Sequence, residues 1–228
     1  MNEMKEECWV VDAGIINYND AYTLQKRLVE ARAKDTIRDT LLLLEHFPVF
    51  TANRETTFKN ILAPEEVLKQ KGIEVCRTDR GGDVTYHGPG QLVGYNIMDL
   101  KKQGKDLHRY IRNMEQVLID TLAEYDIAAS RDPAHPGVWV GREKIAAIGI
   151  AVKSSWITMH GFALNISPVM DHYRFIIACG IVGKGITSME KILGSGVSKE
   201  KVMDTVVRHY SKTYNRTPRN ISREDLSW

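Results

Sequence analysis

The sequence predicts an α/β fold in one domain, and three observations carry that expectation. Short runs rich in β-branched and aliphatic residues alternate along the chain with segments of helical periodicity. The Leu41-Leu42-Leu43-Leu44 run is continuously apolar, which suits a strand buried on both faces at the centre of a sheet. No repeat, linker or low-complexity block divides residues 1–228, so the whole length is expected to form a single domain.

Taken in order, residues 9–16 read as a first strand and residues 20–38 as a helix with Ala21, Leu24, Leu28 and Ala31 on one face. Residues 40–50 follow as one strand, interrupted by Glu45-His46, a polar pair that either ends the buried run or lines a site. Pro64 suits the first turn of a short helix over residues 65–71, stopped by Gly72. Residues 73–77 and 91–100 read as strands. Asp106 is placed to cap a helix to about residue 125, in which Leu107, Tyr110, Ile111, Met114, Val117, Leu118 and Leu122 form a core-facing stripe. Residues 127–136 read as loop, and 138–140 with 144–152 as a hairpin turning at Gly141-Arg142. A strand over 157–166 carries His160-Gly161 near its middle, where the glycine marks a bulge or a close approach. Ser198 caps a helix to about residue 214, with Val202, Val206, Val207 and Tyr210 facing in. The tail from Asn215 is polar except for Ile221, Leu226 and Trp228, and is expected to be partly loose.

Apolar residues make up 43% of the chain and charged residues 26%, ordinary values for a globular protein. The longest apolar runs, residues 41–44 and 145–152, fall well short of the roughly 18 residues a membrane span requires, so no membrane association is expected. The polar, acidic start of the sequence does not resemble an export signal, and a cytoplasmic location is expected. Cys8, Cys76 and Cys179 have no metal-ligand spacing, so no metal is expected and each thiol stands alone. A net charge of +2 argues against a nucleic-acid partner. Positive charge is grouped at Lys101, Lys102, Lys105, Arg109 and Arg112, either as a solvated helix start or as a surface for an acidic partner.

The most distinctive stretch is R-G-G-D-V-T-Y-H-G-P-G-Q, residues 80–91. Gly81, Gly82, Gly88 and Gly90 would let the backbone turn tightly and approach a ligand, and Pro89 would stiffen the second bend. The β-formers Thr85 and Tyr86 between the glycines suggest a short strand flanked by two turns. Neither a P-loop nor a G-x-G-x-x-G pattern is present in the stretch.

Among the thiols, Cys179 lies where Gly180, Gly183 and Gly185 rule out a regular helix, in what reads as an exposed turn. Backbone N–H groups there could approach a developing oxyanion, and a nearby cation could hold the sulfur as thiolate. The alternative is a small buried filler, the expected role of Cys8 and Cys76. Candidates for an activating base are His87, His160 and Lys144, the last because it opens the apolar strand K-I-A-A-I-G-I, where desolvation favours a neutral amine.

Four motifs in order, R-G-G-D-V-T-Y-H-G-P-G-Q, G-R-E-K-I-A-A-I-G, H-G-F-A-L-N-I and A-C-G-I-V-G-K-G-I-T-S-M, resemble those of the octanoyl-[acyl-carrier-protein]:protein N-octanoyltransferases, the lipoyl(octanoyl) transferases. The resemblance spans residues 41–189. It implies the biotin and lipoate protein ligase fold, a mixed β-sheet flanked by helices. It makes Cys179 the acyl-thioester nucleophile and Lys144 the residue that holds the sulfur as thiolate and shuttles protons. It assigns the acyl pocket to Arg80, Gly81, Gly82, Asp83, Val84, Thr85, Tyr86 and His87, with Ala147, Ile148 and Gly149 and with Gly161, Phe162 and Ala163. The implied donor is octanoyl-acyl carrier protein. The implied acceptors are lipoyl domains of 2-oxoacid dehydrogenase E2 subunits and the glycine cleavage H protein. Exchange of one thioester for another is nearly balanced and the final amide is more stable, so neither ATP nor a cofactor is expected. The chain departs from the family at Ala178, where proline is usual, and in the I-S-P-V-M-D-H-Y stretch after Asn165.

Three other functions stay open on the sequence. An ATP-dependent lipoate or biotin ligase of the same fold would need no nucleophilic cysteine, so Cys179 is the discriminating residue. An amidotransferase moving acyl groups between carrier proteins would also use it. A binding module that only holds an acylated carrier would use neither Cys179 nor Lys144.

Overall fold

The computed structural model describes residues 5–53, 58–181 and 183–226, so Trp228 of the expected tail lies outside it. The chain runs β1 (Glu6–Ile16), α1 (Tyr18–Ala33), β2 (Asp39–His46), β3 (Val49–Ala52), α2 (Glu65–Gln70), β4 (Glu74–Arg77), β5 (Thr85–His87) and β6 (Gln91–Ile97). It continues through α3 (Leu107–Ala123), β7 (Ser130–Arg131), β8 (Val138–Val140), β9 (Glu143–Val152), β10 (Thr158–Asn165) and β11 (Gly185–Ile186). The last elements are α4 (Met189–Leu193), α5 (Lys199–Thr213) and β12 (Arg216–Asn220). A large mixed sheet has the order β12-β1-β2-β6-β10-β9-β8-β7, with β11 added beside β9, and a small sheet has the order β4-β3-β5.

The leucine run accounts for the layers. Leu41 and Leu43 point into a core shared with α3 and α5, through Tyr110, Met114, Leu118, Val202, Val206 and Tyr210. Leu42 and Leu44 point the other way, into a core shared with Ala21, Leu28 and Val29 of α1. Each face of β2 is therefore dry, because successive side chains of a strand alternate between faces. Fully burying one leucine stabilises by roughly 1.5–3 kcal/mol, so the run anchors both layers at once.

Three expected boundaries change. The first helix stops at Ala33, where the chain turns through Asp35 at φ 56° instead of continuing to Arg38. The expected strand over 40–50 is two strands in different sheets, because the chain breaks at Phe47-Pro48 and a proline has no N–H for the ladder. The described part of the tail is held in place, not loose: β12 pairs in parallel with β1, and Arg216 is buried against the Asp39 carboxylate at 2.9 Å. Backbone pairing and one buried ion pair hold a segment whose composition is polar. Among the described residues, no helix is long and apolar enough to cross a membrane.

Candidate functional site

The glycine-rich stretch makes the turns expected of it, by two glycines out of four. Gly82 and Gly90 adopt φ of +90° and +85°. Gly88 to Gln91 closes with a backbone bond from the Gln91 N–H to the Gly88 carbonyl at 3.1 Å, with Pro89 and the positive-φ Gly90 at its centre, the arrangement of a type II turn. Between the turns lies the short strand β5, which pairs with β3.

A cavity of about 260 Å³ opens between this stretch, β9 and β10. Arg80, Gly81, Gly82, Asp83, Thr85, His87, Ala147, Ile148, Gly149, Gly161, Phe162 and Ala163 all line it, together with Cys179 and Lys144. Val84 and Tyr86 do not. They alternate with Thr85 and His87 along extended backbone and face a separate core with Phe50, Leu68, Ile73 and Ile176. The cavity also includes residues the motifs leave out, notably Tyr18, Tyr95, Ile111, His135, Pro136 and Ile150. The Pro136-Gly137 pair before β8 is the one sequence signal among them; His135 lies in the same loop, and the rest are ordinary members of helices and strands.

The small residues are small for differing reasons. A Cβ on Gly161 would lie 2.1 Å from the Gly94 carbonyl oxygen of the neighbouring strand β6, so its close approach is to backbone, not ligand. A Cβ on Gly149 would lie 3.0 Å from Arg80 Cδ, so this glycine lets the arginine cross β9. The buried Arg80 guanidinium donates to the Thr51 carbonyl at 2.7 Å, to Thr51 Oγ1 at 2.9 Å and to the Gly81 carbonyl at 3.1 Å.

Cys179 sits in a one-turn 3-10 segment, Ala178–Gly180, with φ 56° and ψ 16°. A non-glycine residue there is strained, and the surroundings fix it. The Cys179 N–H donates to the Val84 carbonyl at 2.9 Å, and the Gly180 N–H to the Ile177 carbonyl at 2.9 Å. Gly180 has φ +65°, and a Cβ on it would lie 2.8 Å from the Asp83 carboxylate, itself held by Asn60 Nδ2 at 2.9 Å. The thiol is half-buried, not exposed as the glycines suggest. Among the described residues of this turn, the N–H groups of Cys179, Gly180 and Ile181, which the sequence offers as oxyanion donors, are bonded to carbonyls.

Of the three candidate bases, Lys144 reaches the thiol. It is the second residue of β9, paired with Ile186 of β11, is 5% exposed, and places Nζ 3.4 Å from Cys179 Sγ. Nζ also donates to the Pro136 carbonyl at 3.2 Å and lies 4.9 Å from the Trp139 ring centre. His160 is committed elsewhere, with Nε2 2.7 Å from the Asp79 carboxylate, and His87 Nδ1 donates to Gln91 Oε1 at 2.7 Å. The other thiols are fillers: burial pushes Cys8 up to about 12 and raises Cys76 as well.

Behind the cavity, His46 joins Tyr95 and His87. Its Nδ1–H donates to the Ile16 carbonyl at 2.9 Å, so Nε2 accepts from the Tyr95 hydroxyl at 2.7 Å and the ring is neutral. Burial lowers His46 from its ordinary 6.5 to about 4. Burial first, then repulsion from His46 if it were to protonate and from the Arg80 guanidinium, hold His87 well below its ordinary value. Between pH 6.5 and 4 the unfolded chain therefore binds protons that the folded chain refuses, and stability falls as pH falls. The His46 share is about 3 kcal/mol, fully present above pH 6.5 and lost by about pH 4. Urea denaturation at steps between pH 7 and 4 should show this fall, and His46→Asn, which keeps a donor to Ile16, should flatten it. A variant slope equal to wild type would remove His46 as its source.

The fold is that of an α/β protein in which a thiol and an amine converge on one cavity. The chain belongs to the lipoyl protein ligase A/B catalytic domain family, whose model matches residues 17–211. It is 49% identical over 214 residues to the octanoyltransferase of Caldicellulosiruptor saccharolyticus, covering 93% of this chain and 91% of that one. It is 43% identical over 220 residues to the octanoyltransferase of Desulforamulus reducens, covering 96% of each. Among solved structures, the bi-partite lipoate protein ligase of Thermoplasma acidophilum, studied with its E2 lipoyl domain, matches with a TM-score of 0.69 at 15% identity, over 98% of this chain and 91% of that one. The biotin protein ligase of Aquifex aeolicus in complex with biotin and ATP matches with a TM-score of 0.56 at 14% identity, over 92% and 70%. The resemblance carried by the four motifs and the ligase-type fold it implies are both borne out.

Proposed function

We propose that this chain, acting as one catalytic domain, moves an octanoyl group from acyl carrier protein to a lysine of a lipoyl domain through a thioester on Cys179. That it is an acyltransferase of protein lipoylation acting on octanoyl groups follows from the octanoyltransferase relatives and the family. The single observation that supports the covalent route is the 3.4 Å separation of Cys179 Sγ and Lys144 Nζ at the cavity. The Cys179 thiolate attacks the thioester carbonyl of the donor. The carrier's sulfur leaves with a proton from the Lys144 ammonium. The acceptor lysine amine then attacks the Cys179 thioester, Lys144 takes its proton, and the cysteine leaves as thiolate. With the N–H groups of the cysteine turn already engaged, the Lys144 ammonium is the charge placed to balance the tetrahedral oxyanion. Burial of six methylenes along Ala147, Ile148, Phe162 and Ala163 is worth about 5 kcal/mol toward holding the chain.

Of the two readings of the positive group at residues 101–112, ion pairs within the chain favour the solvated helix start over a surface for acidic carrier and lipoyl domains. Lys101 pairs with Asp99 at 3.5 Å, Lys102 with Glu6 at 3.3 Å and Arg112 with Glu115 at 3.0 Å, so much of that charge is balanced within the chain. Intact-mass measurement after incubation with octanoyl-acyl carrier protein, without ATP, tests the reading. The enzyme should gain one octanoyl group, lost again on adding an unacylated lipoyl domain, which should gain it. Acceptor octanoylation with no acylated enzyme at any time, or only when ATP is present, would overturn the thioester route.

A further inference from the structure

α3 carries a buried carboxylate that the reaction as written does not use. Glu115 is 1% exposed and lies between Met114 and Val117 of the core-facing stripe. Burying a charge is costly unless it is paired and hydrogen-bonded, so what it holds is informative. Oε2 accepts from Arg112 at 3.0 Å and from Arg131 Nε at 3.1 Å, and both arginines reach solvent. Oε1 accepts from the backbone N–H of Gly137 at 3.1 Å. Gly137 directly follows Pro136, whose carbonyl receives Lys144 Nζ at 3.2 Å.

We infer that Glu115 is a positioning residue for the transfer reaction: by fixing the Gly137 amide it aims the Pro136 carbonyl at Lys144 and so holds the amine against Cys179. Three features of the segment make the strut necessary. Pro136 has no N–H of its own, so the peptide bearing the critical carbonyl is anchored through the next N–H, that of Gly137. Gly137 has φ +125°, a region open to glycine, and a Cβ there would lie 2.6 Å from the Ala146 carbonyl, so the segment is pressed against β9 beside the lysine. The pairing of β8 with β9 shifts register between Val138 and Trp139, so the ladder does not fix the position of residue 136. The Trp139 ring adds a second restraint on Nζ, and its own Nε1–H donates to the His135 carbonyl at 3.1 Å in the same segment.

The orientation matters chemically. In the acceptor step Lys144 must be neutral to take a proton, with one N–H pointed at the Pro136 carbonyl and the lone pair free for the incoming amine. A misplacement of about 1 Å at such a group can cost around a hundredfold in rate. Titratable groups around the pair include Arg80, Asp83, Tyr173, His135, Asp132 and Lys184, with His87 and His160 on the same cavity wall. The bonds of Glu115 run to Arg112, Arg131 and Gly137, so a change at Glu115 reaches the pair through the 136–137 peptide.

The inference rests on Lys144 and Cys179 being the reacting pair, and its test keeps the two apart. Glu115→Met matches the volume and removes the acceptor, leaving two arginines that reach water; Glu115→Gln keeps an oxygen for Gly137. In Glu115→Met, kcat for transfer should fall about 10- to 100-fold with KM for the octanoyl carrier unchanged, and iodoacetamide should alkylate Cys179 at higher pH. Glu115→Gln should restore both. A folded Glu115→Met whose alkylation profile overlays wild type, while Lys144→Ala shifts, overturns the role of Glu115. Failure of Glu115→Gln to restore them also overturns it, because the Gly137 bond would then not be what matters. No shift in Lys144→Ala instead overturns the underlying pair.

Discussion

Cys179→Ser is expected to lower octanoyl transfer to a lipoyl domain by about a thousandfold or more, with no acylated enzyme visible by mass, while Cys76→Ser keeps wild-type transfer. A hydroxyl at this position would need a far stronger base than an amine 3.4 Å away to become a nucleophile. An oxygen ester, if formed, would also expel a poor leaving group when the acceptor amine attacks. The contrast between cysteines is physical. Cys8 and Cys76 sit in strands where burial raises them, whereas Cys179 is half-buried in a strained turn beside a cation. The strain is held by the Val84 carbonyl and by Asp83 under Gly180, so the turn should survive the loss of sulfur and the variant should unfold with the wild-type midpoint. Full transfer in Cys179→Ser would end the thioester mechanism, and loss of transfer in Cys76→Ser would point to a structural cause.

Much of this arrangement is legible in the sequence because the chemistry is local there. The four-leucine run shows a strand buried on both faces, and Leu41 through Leu44 alternate between the two cores. Asp106 and Ser198 announce their helices and do cap them, accepting from the Arg109 and Lys201 amides. The Cys179 and Lys144 pair is carried by motif resemblance, and only the tertiary fold shows their contact, since β11 sets the start of β9 beside the cysteine turn. What stays hidden depends on long-range partners. Arg216 reads as one more polar tail residue until Asp39 is placed beside it. Glu115 falls at a position where helical periodicity expects nothing special, and its role comes from a loop 22 residues away. Val84 and Tyr86 belong to the same motif as Thr85 and His87, yet alternation turns them to another core.

Lys144→Ala is expected to move alkylation of Cys179 by iodoacetamide to higher pH and to slow acyl capture by about a hundredfold, while Lys69→Ala on α2 does neither. Lys69 is largely exposed and pairs with Glu65 at 2.7 Å, so it serves as a matched loss of charge away from the cavity. An ammonium at hydrogen-bond distance from sulfur favours the thiolate, and each tenfold change in the protonation balance corresponds to about 1.36 kcal/mol. Lys144→Arg separates the two roles of the amine. A guanidinium keeps the positive charge and can still stack on Trp139, so the alkylation profile should stay near wild type. It does not give up a proton in this pH range, so in capture the carrier sulfur must leave as thiolate and take its proton from water, which slows that step, while transfer from the acyl-enzyme to the acceptor amine should fail for want of a base. Pre-steady-state mass measurements would then show octanoyl-enzyme accumulating in Lys144→Arg and not in wild type. If the Lys144→Ala profile overlays wild type, the lysine does not hold the thiolate. The cavity-lining imidazole of His87 then becomes the group to change, since His160 is already bound to Asp79.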